Sequence, residues 1–387
     1  MTELATYAQK LREELHTHPE IGYELTRTLA VVHRELDAMG ISYTDKYCRS
    51  SVVAYINPGK AFTIGLRADM DALPIQEEVD VPYKSKIDGQ MHACGHDFHT
   101  ATLIAVAKYL VDHIDQLNCT VKLIFSPAEE CSTACNTIVQ NGALEGVDCA
   151  ITLHVASLVD EGKIQVNPAG GLNGNTRTFK IDVYGKSCHA AAQHNGKDAI
   201  LAAAQLIQAL EFMLVKEVDG RKCKVVNIGA IHGGDVANVL CDHVQMKGTI
   251  RTWDDDVHEY IIKRIEEICQ GISLTTGTKC QLTVLRGNPY NLMNPKIYER
   301  LHAAAAKAVG EENVVQRPRT LGGEDFAWIS RAVPAGQFKV GVRPLDATEK
   351  IVGHSGKFHI STDRSYQTAI DTFVNFVFDN MNGIDFA

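Results

Sequence analysis

Titratable side chains recur where three predicted strands of this 387-residue chain end. Asp69 and Asp71 follow the first strand, Glu129 and Glu130 the second, and His154 the third. Because sites in open α/β sheets gather at the carboxyl ends of strands, we expect these side chains to surround one crevice. Carboxylates crowded in this way repel one another unless a cation neutralises them, so the pattern indicates a metal site.

A fourth polar cluster, from His92 to His99, stands just before a predicted helix. Within it, Cys94 and His96 flank a glycine that lets the backbone turn, and thiolate and imidazole groups bind zinc or a similar transition ion. Each of these residues alone is more often a packing or capping side chain, and only their joint occurrence favours a metal site. A histidine of the glycine-rich segment 353–359 could complete it.

Glu129 and Glu130 are adjacent, and adjacent side chains of an extended chain point in opposite directions. In a turn after a strand, however, both carboxylates can face one crevice by different routes. One can then bind metal while the other carries protons, first from a metal-activated water and then to a leaving nitrogen. A solvated acidic turn is the alternative, although Pro127 and the buried strand before it argue against simple exposure.

Further candidate residues lie later in the chain. His189 is a possible donor to a developing oxyanion, whereas Gly-Lys-Ser just before it is not a nucleotide loop, because position 180 is Lys where a Walker sequence requires Gly. Arg251, at the end of a predicted strand, can hold a carboxylate bidentately, and Asn238 precedes it. In the segment 321–326, paired glycines free the backbone beside two acids.

The order of the predicted strands and helices that position these residues indicates two domains. Buried strands alternate with helices, one of them from His99 to Ile114, which implies a layered α/β domain. From about Asn175 the order becomes β-α-β-β-α-β, the split ferredoxin-like motif, and α/β character then returns. We therefore predict a discontinuous catalytic domain of residues 1–174 and 290–387, with an inserted domain of residues 175–289.

Composition excludes several classes of protein. The net charge is −9 with the signs interspersed, which argues against nucleic-acid binding. No apolar run approaches the roughly 20 residues of a membrane span, and the first residues do not resemble a signal peptide. Eleven cysteines without a CxxC pair predict reduced thiols and a cytoplasmic location.

Many of these features occur in one order along the chain: Arg67-Ala-Asp-Met-Asp-Ala-Leu-Pro74, Met91-His-Ala-Cys-Gly-His-Asp97, Pro127-Ala-Glu-Glu130, His154, His189-Ala-Ala191, Gly248-Thr-Ile-Arg251, Glu324-Asp-Phe326 and His354. This order closely resembles the peptidase M20 family of metallohydrolases. Within that family the chain is similar to the amidohydrolase branch, which includes hippurate hydrolases, N-acyl-amino-acid amidohydrolases and auxin-conjugate hydrolases. The resemblance covers nearly the whole chain.

The resemblance implies a layered α/β catalytic domain with a mixed sheet and zinc-peptidase-like topology, and an inserted ferredoxin-like lid through which the protein forms a homodimer. It also implies two divalent metal ions per subunit, of Mn, Zn, Co or Ni. The implied metal ligands are Cys94, His96, Glu130, His154 and His354. The other implied site residues are Glu129 as general base and acid, His189 as an oxyanion donor reaching the partner subunit's active site, Asn238 and Arg251 holding the substrate carboxylate, and Asp69 and Asp97 orienting ligands.

The activity that the resemblance implies is hydrolysis of the amide bond of an N-acyl amino acid or related conjugate, such as an N-acetyl, N-benzoyl or aminobenzoyl amino acid. Dipeptidase or N-acetyl-diaminopimelate deacetylase-type activity is the alternative within the family. A cysteine hydrolase using Cys94 leaves the acids unexplained. A non-enzymatic metal-binding protein would be expected to have lost a ligand or the base, and none is lost.

Three departures from the family pattern bear on the substrate. Ser126 stands where glutamine is usual before Pro-Ala-Glu-Glu, and Gln193 where the turn after His189 usually contains proline. The segment 131–135 replaces a common glycine pair. These changes affect the expected pocket wall and lid loop rather than the ligands or the base.

Overall fold

The chain folds into two compact units in a computed structural model that describes residues 2–131, 134–168, 170–316, 319–361 and 364–386. The first unit comprises Met1–Leu172, Asn291–Pro318 and Asp325–Ala387, and the second comprises Asn173–Tyr290 and Arg319–Glu324. The segment Arg319–Glu324, which the sequence places in the first domain, joins the second unit. It does so because Arg251 Nη1 donates to the carbonyl of Leu321 at 2.8 Å.

The helices are α1 (Glu3–Thr17), α2 (Thr26–Ala38), α3 (His96–Asp112), α4 (Ala134–Gln140), α5 (Ala199–Lys216), α6 (Asp255–Thr276), α7 (Pro295–Val309), α8 (Ala327–Ala332) and α9 (Ser365–Asn380). The strands are β1 (Ser42–Thr44), β2 (Val52–Ile56), β3 (Thr63–Asp69), β4 (Thr120–Ser126), β5 (Cys149–Asp160), β6 (Ile164–Val166), β7 (Gly170–Gly171), β8 (Asn175–Tyr184), β9 (Lys224–Gly233), β10 (His243–Thr252), β11 (Lys279–Val284), β12 (Leu292–Met293), β13 (Val314–Val315) and β14 (Ala335–Arg343). The prediction that α3 begins at His99 is wrong by one turn, so that part of the polar cluster lies inside the helix.

A mixed sheet with the strand order β1-β2-β4-β3-β5-β14-β6-β13 forms the centre of the first unit. The neighbours β4, β3, β5 and β14 run parallel, whereas β1, β2 and β6 pair antiparallel. Every residue of β3 and β4 is buried, as expected for strands covered on both faces. The prediction of a layered α/β fold with a mixed sheet is confirmed.

The two faces of this sheet enter different hydrophobic cores. In β4, Leu123 and Phe125 join the core that contains α1, α3, α7 and α9, whereas Ile124 between them joins the core that contains α4 and α8. This alternation follows from the two-residue period of a strand. Helix α3 is buried on nearly every side, so its apolar surface holds it rigidly against the sheet.

The second unit has the chain order β8-α5-β9-β10-α6-β11 and an antiparallel sheet with the strand order β11-β8-β10-β9. Buried side chains of α5 and α6 pack with Phe179, Ile181 and Met246 of the sheet into a separate core. Strand β9 lies at one edge of this sheet, where its outer backbone groups are unpaired by any described strand.

Helix α5 is long and apolar enough, by length and composition, to cross a membrane, with a mean hydropathy of 1.5 over 18 residues. The sequence-based statement that no apolar run approaches that length is therefore too strong. The structure explains the composition, because Ala202, Leu206 and Met213 of α5 are fully buried in the core of the second unit. Such a core helix passes the same compositional test as a membrane span.

Candidate metal centre and active site

The carboxyl ends of β3 and β4, together with the middle of the neighbouring β5, bring the predicted site residues of the first unit together. The prediction that the third strand ends at His154 is wrong, because β5 continues to Asp160 and His154 lies within it. Strands β3 and β4 run parallel, with Asp69 paired to Ser126 at their ends. The chain segments that leave these strands therefore start side by side, one carrying Asp71 and the other Glu129 and Glu130. The crevice expected at this edge of the sheet is the place where these carboxylates meet.

Gly95 makes the turn that presents Cys94 and His96 from α3. Its φ is +89°, a left-handed conformation, and it precedes the first helical residue. A Cβ atom at this position would lie 2.7 Å from Cγ2 of Val155 on β5. Both the backbone conformation and the close approach of the strand therefore require glycine.

The donor atoms of the five predicted ligands converge. Those of Cys94, His96 and His154 lie within 4.8 Å of one another, and so do those of Cys94, Glu130 and His354. His96 Nε2 and Glu130 Oε1 are buried without a hydrogen-bond partner among the described residues. Buried polar atoms are almost always paired, so these two atoms fit a metal ion bound between them. Thiolate, imidazole and carboxylate donors together suit a divalent transition metal.

Hydrogen bonds assign the ring nitrogens of two neighbouring histidines. His154 Nδ1 donates to the carbonyl of Val155 at 2.8 Å, which leaves Nε2 as an acceptor 3.5 Å from Cys94 Sγ. His99 differs, because its Nε2 accepts from the Val155 amide at 3.0 Å and its Nδ1 donates to Asp69 Oδ1 at 2.5 Å. Both nitrogens of His99 are thus occupied, and it supports the site without offering a lone pair.

Asp71 connects the ligands from two elements. Its Oδ1 lies 3.3 Å from His96 Nδ1 and accepts from the amide of Glu129 at 3.0 Å, while its Oδ2 accepts from the amide of Glu130 at 3.2 Å. A carboxylate on the second nitrogen of a ligating histidine fixes the ring orientation and raises the basicity of the first. Asp71 therefore holds His96 and the Glu129–Glu130 turn in one arrangement.

Burial and neighbouring acidic groups shift the pKa values of the predicted ligand cluster, for some groups in opposite directions. Burial lowers the pKa of His96, but the charges of Asp69 and Cys94 outweigh it and raise that pKa well above its usual value. Cys94 and Glu130, as acceptor groups facing the His354 ring, raise the pKa of His354 to about 10. Burial raises the pKa of Asp71. Anionic groups that attract protons so strongly at a buried place are the groups that a divalent cation neutralises.

The predicted general base lies beside the ligands. Ala128 adopts a φ of +52°, and this strained turn lets both Glu129 and Glu130 face the crevice. The carboxylate oxygens of Glu129 and Glu130 lie within 4.8 Å of each other and of a ring nitrogen of His96. Glu129 Oε1 accepts a hydrogen bond from the Asp325 amide at 3.2 Å. This bond fixes one carboxylate oxygen. The Glu129 side chain is only partly buried, so the crevice has access to it.

The two aspartates predicted to orient ligands have different surroundings. Asp69 bonds His99 and lies 3.8 Å from His96 Nε2. Asp97 instead bonds α1, where Arg12 Nε and His16 Nδ1 lie 2.8 and 2.6 Å from its Oδ2. Asp97 thus anchors the start of α3 to α1, and Asp71, which was given no such role from the sequence, is the carboxylate beside His96 Nδ1.

His189 and Asn238 are adjacent and exposed in the second unit. The Ala190 amide donates to the Asn238 carbonyl at 3.0 Å, and His189 pairs with Val239 beyond the end of β8. His189 Nδ1 accepts from the Ala191 amide at 3.1 Å, so the ring proton resides on the outward Nε2. This tautomer is the one that an oxyanion donor requires.

Arg251 lies at the opposite end of the same sheet. It pairs with Thr176 near the start of β8, whereas His243 pairs with Tyr184 at the other end. Arg251 follows His243 by eight positions along β10, and eight steps of about 3.3 Å span about 26 Å. Asn238 and Arg251 of one chain therefore cannot hold the same carboxylate.

Sequence reasoning missed support residues whose partners are distant in the chain. The sequence places Asp71 only within a strand-end cluster and indicates no more than a packing or capping role for His99. Arg67 and Asp325 belong to motifs that assign them no role. The signal available for Asp71 was its position two residues after Asp69 at the strand end, whereas the pairing of Arg67 with Asp325 spans 258 residues and has no local signal.

Comparison with known proteins leads to the same family of metallohydrolases that the sequence motifs predict. Residues 65–379 match the model of peptidase family M20/M25/M40, and the chain belongs to that family, as the ordered motifs predict. IAA-amino acid hydrolase ILR1-like 5 of Arabidopsis thaliana is 34% identical over 91% of this chain and 82% of its own length. N-acetyl-L-cysteine deacetylase of Bacillus subtilis is 35% identical over 84% and 77%.

A solved structure shares the whole architecture. The YXEP protein of Bacillus subtilis, described as a dinuclear metal binding peptidase of the M20 family, is 29% identical to this chain. The two structures agree with a TM-score of 0.83 over 98% of this chain and 99% of the other. Together with the donor set, this likeness supports a divalent metal cofactor for the present protein.

Proposed function

We propose that this protein is a metal-dependent amidohydrolase that cleaves the amide bond of an N-acyl amino acid or a related conjugate. The observation that carries the proposal is the convergence of five ligand atoms beside the Glu129 carboxylate. Two curated relatives are named for substrates of this class, an IAA–amino acid conjugate and an N-acetyl amino acid. N-acetyl, N-benzoyl and aminobenzoyl amino acids are the candidate substrates.

The ligand set favours two divalent ions. Cys94, His96 and His154 form one group of donors, and Cys94, Glu130 and His354 form another. Their mixed chemistry suits Zn, Mn, Co or Ni. When bound, such ions supply an acidified water and a Lewis acid for the substrate carbonyl.

The chain's own residues would move the protons and hold the substrate. Glu129, fixed by the Asp325 amide, takes a proton from the attacking water and delivers it to the leaving nitrogen. His189, with its proton on Nε2, donates to the oxyanion of the tetrahedral intermediate. Arg251 binds the substrate carboxylate through its planar fork, and Asn238 adds a polar contact next to His189.

The separation of these residues favours a dimer. Because one chain's sheet places His189 and Asn238 at one end and Arg251 at the other, a site that uses all three draws them from two copies of the chain. We therefore infer that His189 and Asn238 serve the partner subunit's active site. A C2 dimer gives two such composite sites.

The second unit has a surface that fits this dimer. Helix α5 exposes Leu201, Phe212 and Val215, which are 56%, 61% and 71% accessible, and the edge strand β9 exposes Ile231 at 50%. Unpaired strand edges and contiguous apolar side chains are features of protein interfaces. A second copy of the same unit would cover both.

The cysteines bear on two further points, the cellular location and the alternative of a cysteine hydrolase. All eleven cysteines are free, which fits a reducing, cytoplasmic compartment. The alternative of a cysteine hydrolase rests on the 3.5 Å separation of Cys94 Sγ and His154 Nε2. It gives no role to Asp71, Glu129 or Glu130, whereas metal-assisted hydrolysis gives a role to each.

A substrate screen with defined metals tests the proposed function. Apo-protein is loaded with Mn, Zn, Co or Ni and assayed with N-acetyl, N-benzoyl and aminobenzoyl amino acids. We expect hydrolysis that EDTA abolishes and one of the metals restores, and the Glu129→Gln variant should retain metal but lose turnover by about 10²-fold or more. Activity that survives complete metal removal, or near-normal turnover in Glu129→Gln, would contradict the proposal.

A further inference from the structure

In the segment 321–326, the side chain of the residue whose amide contacts the proposed base has no role in the reaction described so far. The backbone N–H of Asp325 donates to Glu129 Oε1 at 3.2 Å. Asp325 itself is fully buried, at 0% exposure. Its carboxylate accepts from the Cys135 amide at 3.1 Å in the first turn of α4 and from Arg67 Nη2. The Asp325 side chain thereby anchors the backbone that faces Glu129.

Arg67 is the second member of this arrangement. It is 1% exposed, and the partners of its guanidinium include side chains of Ser126, Asp69 and Asp325 in the same unit. Nε donates to Ser126 Oγ at 2.9 Å, Nη1 donates to Asp69 Oδ2 at 2.7 Å, and Nη2 donates to Asp325. Through Asp69 the guanidinium reaches His99, and through Asp325 it reaches Glu129. Arg67 thus connects Asp69, which lies beside the predicted ligands, with Asp325, whose amide holds the predicted base.

The chemistry of arginine suits this position better than that of lysine. A buried charge is stable only when it is paired and hydrogen-bonded, and Arg67 has a carboxylate on each side. The planar guanidinium fixes the directions of its bonds, whereas an ammonium is a point charge on a flexible stem. Lysine at this position would keep the charge and lose the geometry.

We propose that the buried Arg67–Asp325 pair is a positioning device that holds the Glu129 carboxylate in its reactive orientation. The proposal rests on the proposed function, in which Glu129 is the base. Proton transfer requires the base within hydrogen-bond reach of the reacting water, and a misplacement of about 1 Å costs about 10²-fold in rate. Neither Arg67 nor Asp325 touches substrate in this role, because both are enclosed by the first unit.

The experiment compares Arg67→Lys and Asp325→Asn in the full-length, metal-loaded protein. We expect kcat to fall by about 10- to 100-fold with KM changed by less than about twofold. In Asp325→Asn, which leaves the bond from Arg67 to Asp69 in place, the visible spectrum of the Co-loaded protein and the metal affinity from chelator competition should stay as in the wild type. Phe373→Leu is the matched control, since Phe373 is fully buried in the same unit and packs on Phe338. It should lower the Tm while leaving kcat per metal-loaded site unchanged.

A double-mutant cycle with Glu129→Gln distinguishes positioning from general support of the fold. If Arg67 acts through Glu129, Arg67→Lys should change the residual rate of the Glu129→Gln protein by less than about twofold. An equal fold-loss in both backgrounds, or a normal kcat in Arg67→Lys, would overturn the proposal. Should Arg67→Lys fail to fold, Asp325→Asn takes its place in the cycle. Near-normal activity of Glu129→Gln alone would instead refute the proposed function.

Discussion

The imidazole Nδ1 of His96 lies 3.3 Å from the Oδ1 atom of Asp71, while its Nε2 is buried with no hydrogen-bond partner among the residues that the structure describes. The ring is therefore oriented on one side and open on the other. Asp71 also accepts hydrogen bonds from the amides of Glu129 and Glu130, so a single carboxylate sets the geometry of a proposed ligand and of the turn that carries the proposed base.

Replacing Asp71 by Ala should weaken metal binding about 10- to 100-fold, because the orientation of His96 is lost. Competition with a chromophoric chelator measures the affinity directly. The control is Asp88→Ala, which removes an exposed carboxylate in the segment before α3. An Asp71→Ala protein that binds metal as tightly as the control would show that Asp71 does not orient His96.

Replacing Gly95 by Ala should damage both stability and metal binding. Gly59 has nearly the same φ, +88°, but a Cβ there meets nothing within 4 Å, so Gly59→Ala isolates the backbone cost of about 1–2 kcal/mol. Gly95→Ala adds the contact with Val155 and displaces Cys94 and His96. Urea unfolding should show the larger loss for Gly95→Ala, and chelator competition should show weaker metal binding in that variant only. Equal losses in both variants would refute this explanation.

Replacing Arg251 by Ala should raise KM for carboxylate substrates by about 10- to 100-fold with a smaller effect on kcat, since a charge-assisted bond of about 1.5–3 kcal/mol is lost. The steady-state parameters of an N-acyl amino acid and its methyl ester give the comparison. Arg264→Ala is the control, because Arg264 pairs with Glu217 on the surface of the same unit. If the ester and the acid respond equally to Arg251→Ala, the carboxylate is bound elsewhere.

Mixing two inactive variants should restore activity. In a heterodimer of Glu129→Gln and His189→Ala chains, one of the two composite sites contains both an intact base and an intact His189. Random exchange of subunits therefore yields about a quarter of the wild-type activity per site. Size-exclusion chromatography of each variant serves as a check that dimers form. No recovery after subunit exchange would mean that His189 acts in its own chain.

His258 should make the second unit sensitive to acid. Burial, and then the charge of Arg177, lower its pKa to about 4 from an ordinary value near 6.5. The unfolded chain binds the proton more readily than the folded chain does. The free energy of unfolding is therefore highest above pH 6.5 and falls, by about 3 kcal/mol at most, as the pH drops toward 4. His258→Asn, which keeps an acceptor for Thr252, should flatten the stability profile measured by urea unfolding between pH 7.5 and 4.5. His232→Gln, on the exposed surface of β9, is the control and should leave the profile unchanged.

The chemistry of the site was predictable because it is recorded in residue types and their order. The motifs that resemble the M20 family name Cys94, His96, Glu130, His154 and His354 as ligands, and the buried strand β4 places the Glu129–Glu130 turn at one edge of a sheet. The two-residue alternation and the helix spacing likewise predict most elements, including the β-α-β-β-α-β order of the second unit. These signals are local, since each depends on only a few neighbouring residues.

The tertiary structure decided the relationships between residues that are distant in the chain. It placed Asp71 beside His96, occupied both nitrogens of His99, and joined Arg67 to Asp325 across 258 residues. It also placed Asn238 and Arg251 at opposite ends of one sheet, where the sequence hypothesis had grouped them. The physical reason is that the hydrogen bonds of a buried polar group depend on which groups packing brings near it, and packing depends on the whole fold.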